Sequence, residues 1–376
     1  MRRGVVWMWG VLAQLVLVPG AWAQRPPETH PSSARQDVVM TWDRSAMPGD
    51  IELWAPRTVL GYERGGTLGY GQLFLTCRSS ASSESGKCPT EDTREPANGV
   101  GSIVQLQLTE FRSGMVVDMD IRGSLLRADA TLACDSDYWS PYQRPLSSSD
   151  ASECNFQLPA GTGAALQIPT HELRKLVAGK WSATLLLDLR LPPSQHIATY
   201  TFTFDFIITD HNAVSIYFPE FPQTTPLVDL NLRYDPLAHT VGGRKLMDMC
   251  LYDGLGSQSD YLGITVTDTS GRTPGPLGYS LWHDDGGNDD DQRLDYMIEL
   301  EHAGVRRRLA SGVEEQLHGI DTAPLHLVLL PGMSQPVFCV PTPLLLTTPR
   351  VPITDQRAGG YEGELKVQLR VPTTRP

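Results

Sequence analysis

Tyr200-Thr201-Phe202-Thr203-Phe204-Asp205-Phe206 decides the fold class. Aromatic rings take every second position, and small polar or acidic side chains fill the positions between. A period of two marks a strand with one buried and one wet face, because successive side chains of an extended chain point to opposite sides. The same period recurs along the chain. Val104, Leu106 and Leu108 alternate with Gln105 and Gln107, and Val117, Met119 and Ile121 alternate with Asp118 and Asp120. Leu185, Leu187, Leu189 and Leu191 share a face, and Leu365, Val367, Leu369 and Val371 alternate with Lys366, Gln368 and Arg370. Glycine- and proline-rich turns separate these runs. Only residues 170–177 read as a helical turn, with Thr170 as its cap and Arg174 and Lys175 near its end. The expected fold is all-β, with two immunoglobulin-like β-sandwich domains in tandem.

The length of 376 residues suits two cores better than one. Arg2 and Arg3, an apolar run over residues 5–18 and the small-x-small site Ala21-Trp22-Ala23 read as a secretory leader over 1–23. The run is shorter than the ~18 to 20 apolar residues of a spanning helix, so the mature chain is expected to be exported and soluble. A net charge of -12 argues against a nucleic-acid partner, whose phosphates need a basic face.

Six cysteines in an exported chain point to disulfides. Their spacing suggests pairing in order: Cys77 with Cys88, Cys134 with Cys154, and Cys250 with Cys339. The serine-rich stretches 78–87 and 147–153 and the acidic stretch 284–295 read as exposed loops. The boundary between domains is ambiguous from composition: a hinge at 211–213 and a proline-stiffened linker at 219–226 both fit.

Nothing in the sequence calls for a cofactor or a metal. No CxxC pair occurs for zinc, and the acidic run from Asp284 to Asp291 lacks the EF-hand spacing and closing glutamate. The histidines are scattered and no GxSxG elbow occurs, so no catalytic residue is assigned. Arg306-Arg307-Arg308 reads as a solvated strand end in an acidic protein. The alternating run beginning at Leu365 closes the second sandwich, where it is either an ordinary final strand or one wall of a groove awaiting another chain.

Several motifs together resemble the class 5 chaperone–usher fimbrial tip subunits, including the CblD-like pilus biogenesis initiators. They are Val228-Asp229-Leu230-Asn231-Leu232-Arg233, Met249-Cys250-Leu251-Tyr252-Asp253-Gly254, Pro336-Val337-Phe338-Cys339-Val340-Pro341 and Ala358-Gly359-Gly360-Tyr361-Glu362-Gly363. In the N-terminal half, Gly86-Lys87-Cys88-Pro89, Leu108-Thr109-Glu110-Phe111-Arg112-Ser113 and Ala198-Thr199-Tyr200-Thr201 match as well. The resemblance implies an adhesin-type domain over 24–210, a linker at 211–213 and a pilin domain over 214–376. It implies that the second sandwich is incomplete. A periplasmic chaperone fills the gap first, and an outer-membrane usher then exchanges it for the N-terminal strand of the major pilin. Leu365, Val367, Leu369 and Val371 would line the donor-strand groove. With a whole domain ahead of its pilin half, the chain is expected to have no donor extension and to stand at the fimbrial tip on the cell surface. It would initiate assembly and adhere to a host receptor.

One departure bears on that receptor. Adhesive members carry a basic patch for sialylated receptors, and the matching positions here are Gln72, Leu191 and Pro192, with Arg190 the neighbouring basic residue. A neutral glycan, a protein receptor or no receptor is therefore expected. The rival readings are a purely structural initiator and a secreted carbohydrate-active β-sandwich enzyme.

Overall fold

A computed structural model describes residues 24–132, 136–152, 158–221, 223, 225–333 and 335–372. The expected leader at 1–23 and the expected Cys134–Cys154 bridge lie outside the described residues.

Among the described residues, eight strands precede His211. They are β1 (Ala34–Asp43), β2 (Ile51–Tyr62), β3 (Phe74–Thr76), β4 (Ser102–Glu110), β5 (Val116–Ala128), β6 (Gly161–Ile168), β7 (Gly179–Leu191) and β8 (Gln195–Thr209). They pair in the order β1-β8-β7-β4-β5-β6-β2, with β3 also on β7. β4 meets β7 only at Thr109–Ser182 and Glu110–Trp181, so the ribbon turns there and its two parts face each other. The alternation explains what fills the space between. Phe202, Phe204 and Phe206 join Leu185, Leu187 and Leu189 from one layer, and Val104, Leu106, Leu108, Met119 and Ile121 meet them from the other. Trp181 sits buried at the corner and donates its indole N–H to the Val177 carbonyl at 2.9 Å. β1 runs parallel to β8 through ten paired positions, so this early strand is used inside the first sheet.

Two expectations for this half need correction. The helix α1 covers only Thr170–Leu173, and Thr170 is not its cap. Pro169 precedes the first turn in extended conformation, and Asp50 from a distant segment accepts the Thr170 N–H at 2.8 Å. The serines at 147–149 are buried rather than exposed. They are satisfied by partners far along the chain: Ser147 O accepts the Thr93 N–H, the Ser148 hydroxyl donates to Glu95 O, and Ser149 donates to Asp92. A serine so paired can be buried at little cost.

The second half contains β9 (Ser215–Tyr217), β10 (Arg233–Asp235), β11 (Thr240–Met247), β12 (Cys250–Tyr252) and β13 (Tyr261–Asp268). β14 (Tyr279–His283), β15 (Arg293–His302), β16 (Val305–Leu309), β17 (Glu314–His318) and β18 (His326–Val328) follow. The last four are β19 (Val337–Pro341), β20 (Leu344–Pro352), β21 (Tyr361–Glu362) and β22 (Leu365–Arg370). One layer runs β10-β11-β20-β15-β14-β21, with β16 also on β15. The facing strands fall into two pieces, β18-β19-β12-β9 and β17-β13-β22. Leu262, Ile264 and Val266 of β13, Ile298 and Leu300 of β15 and Leu251 of β12 meet in the core between them. The arginine triplet lies on β16, where Arg306 pairs with Glu301 and Arg307 with Glu315, which removes most of its field.

Disulfides join Cys77 to Cys88 and Cys250 to Cys339. The second bridge and Tyr252 pack against the core of the first half, so the two halves share an apolar junction. Polar contacts fix it. The Asp210 N–H donates to the Gly254 carbonyl at 2.8 Å, and Arg112, from the β4–β5 turn, donates to the Ile320 carbonyl at 3.3 Å.

Candidate functional site: an open seam and a polar corner

β9 and β22 each have one ladder neighbour among the described residues: β12 for β9 and β13 for β22. β22 runs close beside β9, yet no ladder joins them. The layer is thus split along a seam between two open edges. An open edge is a row of amides and carbonyls without strand partners, and it templates pairing with a further strand.

The seam is apolar inside. On one wall Leu365, Val367, Leu369 and Val371 are half-buried and rest on the core, while Lys366, Gln368 and Arg370 are exposed. On the other wall Ile216, Phe218, Phe221 and Val228 are also half-buried against that core. The first wall was visible in the sequence as alternation. The second was missed, because β9 is only three residues long and too short to show a period, although the apolar run after the 211–213 segment marked its place. Next to β9, a pocket of about 420 Å³ is lined by Tyr217, Pro219, Phe221, Leu329, Leu330 and Met333.

A strap delivers β22 to this position. β21 pairs Tyr361 with His283 and Glu362 with Trp282 on β14. His283 Nε2 lies 3.1 Å from the Ala358 carbonyl, and its Nδ1 lies 3.1 Å from the carboxylates of Asp284 and Asp285 and within 3.2 Å of the Asp285 backbone N–H. Arg357 pairs with Asp285 at 2.5 Å and with Asp291 at 3.3 Å. The Tyr361 hydroxyl donates to the Asp291 carbonyl at 3.0 Å. The acidic turn thus serves as the anchor of the strap.

Its charges set a pH window. The Ala358 carbonyl, opposed by burial and then helped by the Asp285 and Asp284 carboxylates, raises the His283 pKa above its ordinary 6.5. That contribution is complete below pH ~6.5 and is lost as pH rises through the raised value. The Gly287 N–H, opposed by burial and helped by Arg357, Gln292 and His283, holds Asp285 below its ordinary 3.8. That contribution is present above pH ~4 and is lost as pH falls through the depressed value. The strap is therefore tightest between pH ~4 and ~6.5. Amide exchange at residues 357–361, corrected for intrinsic rates, should be faster at pH 8.5 than at pH 6. An imidazole titrating below its ordinary value would contradict this.

At the far end of the first half, the sequence-predicted receptor residues meet at one corner. β3 pairs Phe74 with Arg190 on β7. Gln72 ends a 3₁₀ turn over Tyr70–Gln72 just before β3, and Leu191 and Pro192 follow Arg190. Arg190 is not a free cation. Its Nε donates to the Thr76 hydroxyl at 2.9 Å, Nη1 donates to the Ser194 carbonyl at 3.3 Å, and Nη2 lies 3.9 Å from Asp188. A cleft of about 500 Å³ opens beside it, with Glu91, Asp92, Arg94 and Ser194 on its walls. Two acids face two arginines, so the corner is polar and close to balanced in charge, which suits hydroxyl-rich ligands better than anions. Sequence reading missed the wall at 90–94, because no local pattern links it to β7.

The family model for the first domain of CfaE, a CFA/I fimbrial subunit, matches residues 19–211, and the model for its second domain matches residues 214–373. The chain belongs to the CfaE family of CFA/I fimbrial subunits. The CFA/I fimbrial subunit CfaE of Escherichia coli is a relative 31% identical over 307 residues, which cover 79% of this chain and 80% of that protein. The crystal structure of CfaE, the adhesive subunit of CFA/I fimbria of enterotoxigenic Escherichia coli, has TM-score 0.68 and 26% identity over 93% of this chain and 95% of its own. A structure from a chaperone–tip adhesin complex, described as vital for synergistic activation of CFA/I fimbriae biogenesis, has TM-score 0.67 and 27% identity. It covers 93% of this chain and 99% of its own. Within the CfaE framework, the open seam falls in the part matched by the second-domain model and the polar corner in the part matched by the first.

Proposed function

We propose that this chain is a fimbrial tip subunit that initiates chaperone–usher assembly through the seam and adheres through the polar corner. The observation that carries the reading is the seam itself: two open strand edges side by side over an apolar floor. A segment with apolar side chains at alternate positions would occupy both edges at once and cover Leu365, Val367, Leu369 and Val371. The occupants are first a periplasmic chaperone and then, at the outer-membrane usher, the N-terminal strand of the major pilin. β1 is spent in the first sheet, which leaves that segment unable to act as a donor. This supports a place at the tip, on the cell surface, and the finer CblD-like description as an initiator of pilus biogenesis.

The division into a first domain to residue 210, a linker at 211–213 and a pilin domain from 214 is supported by β8 ending at Thr209 and β9 starting at Ser215. The protein is read as a non-enzyme, since its relatives are fimbrial subunits. The corner around Gln72, Arg190, Leu191 and Pro192 is read as the receptor site for an uncharged glycan or a protein. One observation favours a structural initiator without a receptor: the uncharged residues at 72, 191 and 192.

Co-expression in a bacterial periplasm tests the assembly half. With the cognate chaperone, the mature chain should be recovered as a one-to-one complex; without it, most of the chain should be degraded or aggregate, leaving a small yield of folded but protease-sensitive monomer. A protease-resistant monomer recovered without the chaperone would contradict the reading. Binding of the whole chain to host cells, lost in Arg190→Ala, separates the adhesive from the structural reading.

A further inference from the structure

Arg127 lies at the end of β5 in the run Leu125-Leu126-Arg127-Ala128 and is fully buried. A buried guanidinium is costly unless every donor is engaged, and an apolar side chain of similar size is often at least as stabilising at such a place. Its partners suggest why this position holds an arginine. Nη1 donates to the Leu73 carbonyl at 2.7 Å and to the Thr162 hydroxyl at 2.6 Å. Nη2 donates to the Ser148 carbonyl at 2.8 Å, and Nε donates to the Asp150 carbonyl at 2.9 Å.

Those acceptors do not line the polar cleft, but they adjoin or bond the segments that do, Phe74 on one side and residues 90–94 on the other. Leu73 stands between Gln72 and Phe74, and the Thr162 hydroxyl donates to the Tyr70 carbonyl at 2.7 Å. One side of the guanidinium thus holds residues 70–74, which bring Gln72 and the partner strand of Arg190. The other side holds 148–150. From there Ser149 donates both its N–H, at 3.0 Å, and its hydroxyl, at 2.5 Å, to Asp92, while Ser147 O accepts the Thr93 N–H at 3.0 Å. These residues carry the wall with Glu91, Asp92 and Arg94. The planar fork fixes direction as well as distance, which an ammonium at the same place would not do.

We propose that Arg127 is the positioning residue of the receptor cleft: from beneath, it sets the spacing between the 70–74 wall and the 90–94 wall. The inference rests on the adhesive reading of that cleft. It makes the site's geometry depend on a residue that never touches ligand.

The test uses the whole mature chain in complex with its chaperone and reads amide exchange together with host-cell binding. Arg127→Lys keeps the charge and loses the fork. Exchange should rise at least tenfold at residues 73–76 and 92–95 while β13 and β15 stay unchanged, and cell binding should fall at least tenfold. Ser149→Ala weakens only the far link by removing its hydroxyl bond to Asp92, so exchange should rise at 92–95 and stay unchanged at 73–76. It also serves if Arg127→Lys does not fold. Uniform exchange increases across the first half would overturn the proposal in favour of a general stabilising role, as would unchanged exchange at both walls. A wild-type chain that binds no cell sinks the adhesive reading alone, and the exchange pattern still decides whether Arg127 spaces the walls.

Discussion

Val367→Glu should abolish capture of the donor strand. Val367 sits mid-strand in β22, paired with Val266 on β13, with its side chain half-buried on the seam floor. In the lone chain a glutamate there can still turn towards water, so the sandwich should fold. Once a donor strand covers the seam, the carboxylate would be buried without a partner, which costs several kcal/mol. Each ~1.4 kcal/mol is tenfold in affinity, so capture should fall by at least about 100-fold. The readout is binding of an alternating apolar peptide copied from the N-terminus of the major pilin. Gln368→Glu, on the exposed face of the same strand, is the control and should bind like the wild type. Equal binding by Val367→Glu would mean that the donor does not run along this wall.

The second large effect concerns stability. Removing the Cys250–Cys339 bridge as the double serine variant should cost about 4 to 5 kcal/mol, because it closes a loop with a sequence separation of 89. Both cysteines are buried and join β12 to β19, the strands that carry β9 and so one wall of the seam. Urea unfolding of the whole chain without chaperone reads the loss in the transition of the second half. The Cys77–Cys88 pair, with a separation of only 11, should cost about 3 kcal/mol by the same reasoning. A loss below about 1 kcal/mol for the long bridge would show that the unfolded chain is already held compact there.

The layers were legible because their pattern is local. A strand with one wet face writes itself as Tyr200-Thr201-Phe202-Thr203, and β4, β5, β7, β8 and β22 all carry that signature. What sequence could not show depends on partners far along the chain. Ser147 to Ser149 look like a loop until Asp92, Thr93 and Glu95 arrive to bond them. Thr170 looks like a cap until Asp50 takes that role. Arg127, flanked by two leucines and an alanine, offers no local sign of the carbonyls of Leu73, Ser148 and Asp150 that allow it to be buried.

The candidate sites divide in the same way. Leu365, Val367, Leu369 and Val371 announce one wall of the seam by their period, whereas Ile216, Phe218, Phe221 and Val228 form the other without any period. The positions Gln72, Arg190, Leu191 and Pro192 came from a resemblance rather than from chemistry. Their convergence at one corner follows from the Phe74–Arg190 pairing, which spans more than a hundred residues of sequence.

Hydrogen exchange on the whole chain, alone and with the donor peptide, weighs the split layer most directly. The outward amides of β9 and β22 should exchange freely in the lone chain and slow by at least about 100-fold when the peptide is present, while the amides between β13 and β17 barely change. Full protection along both edges before any peptide is added would show that the layer is already whole, and the account of assembly built on it would be wrong.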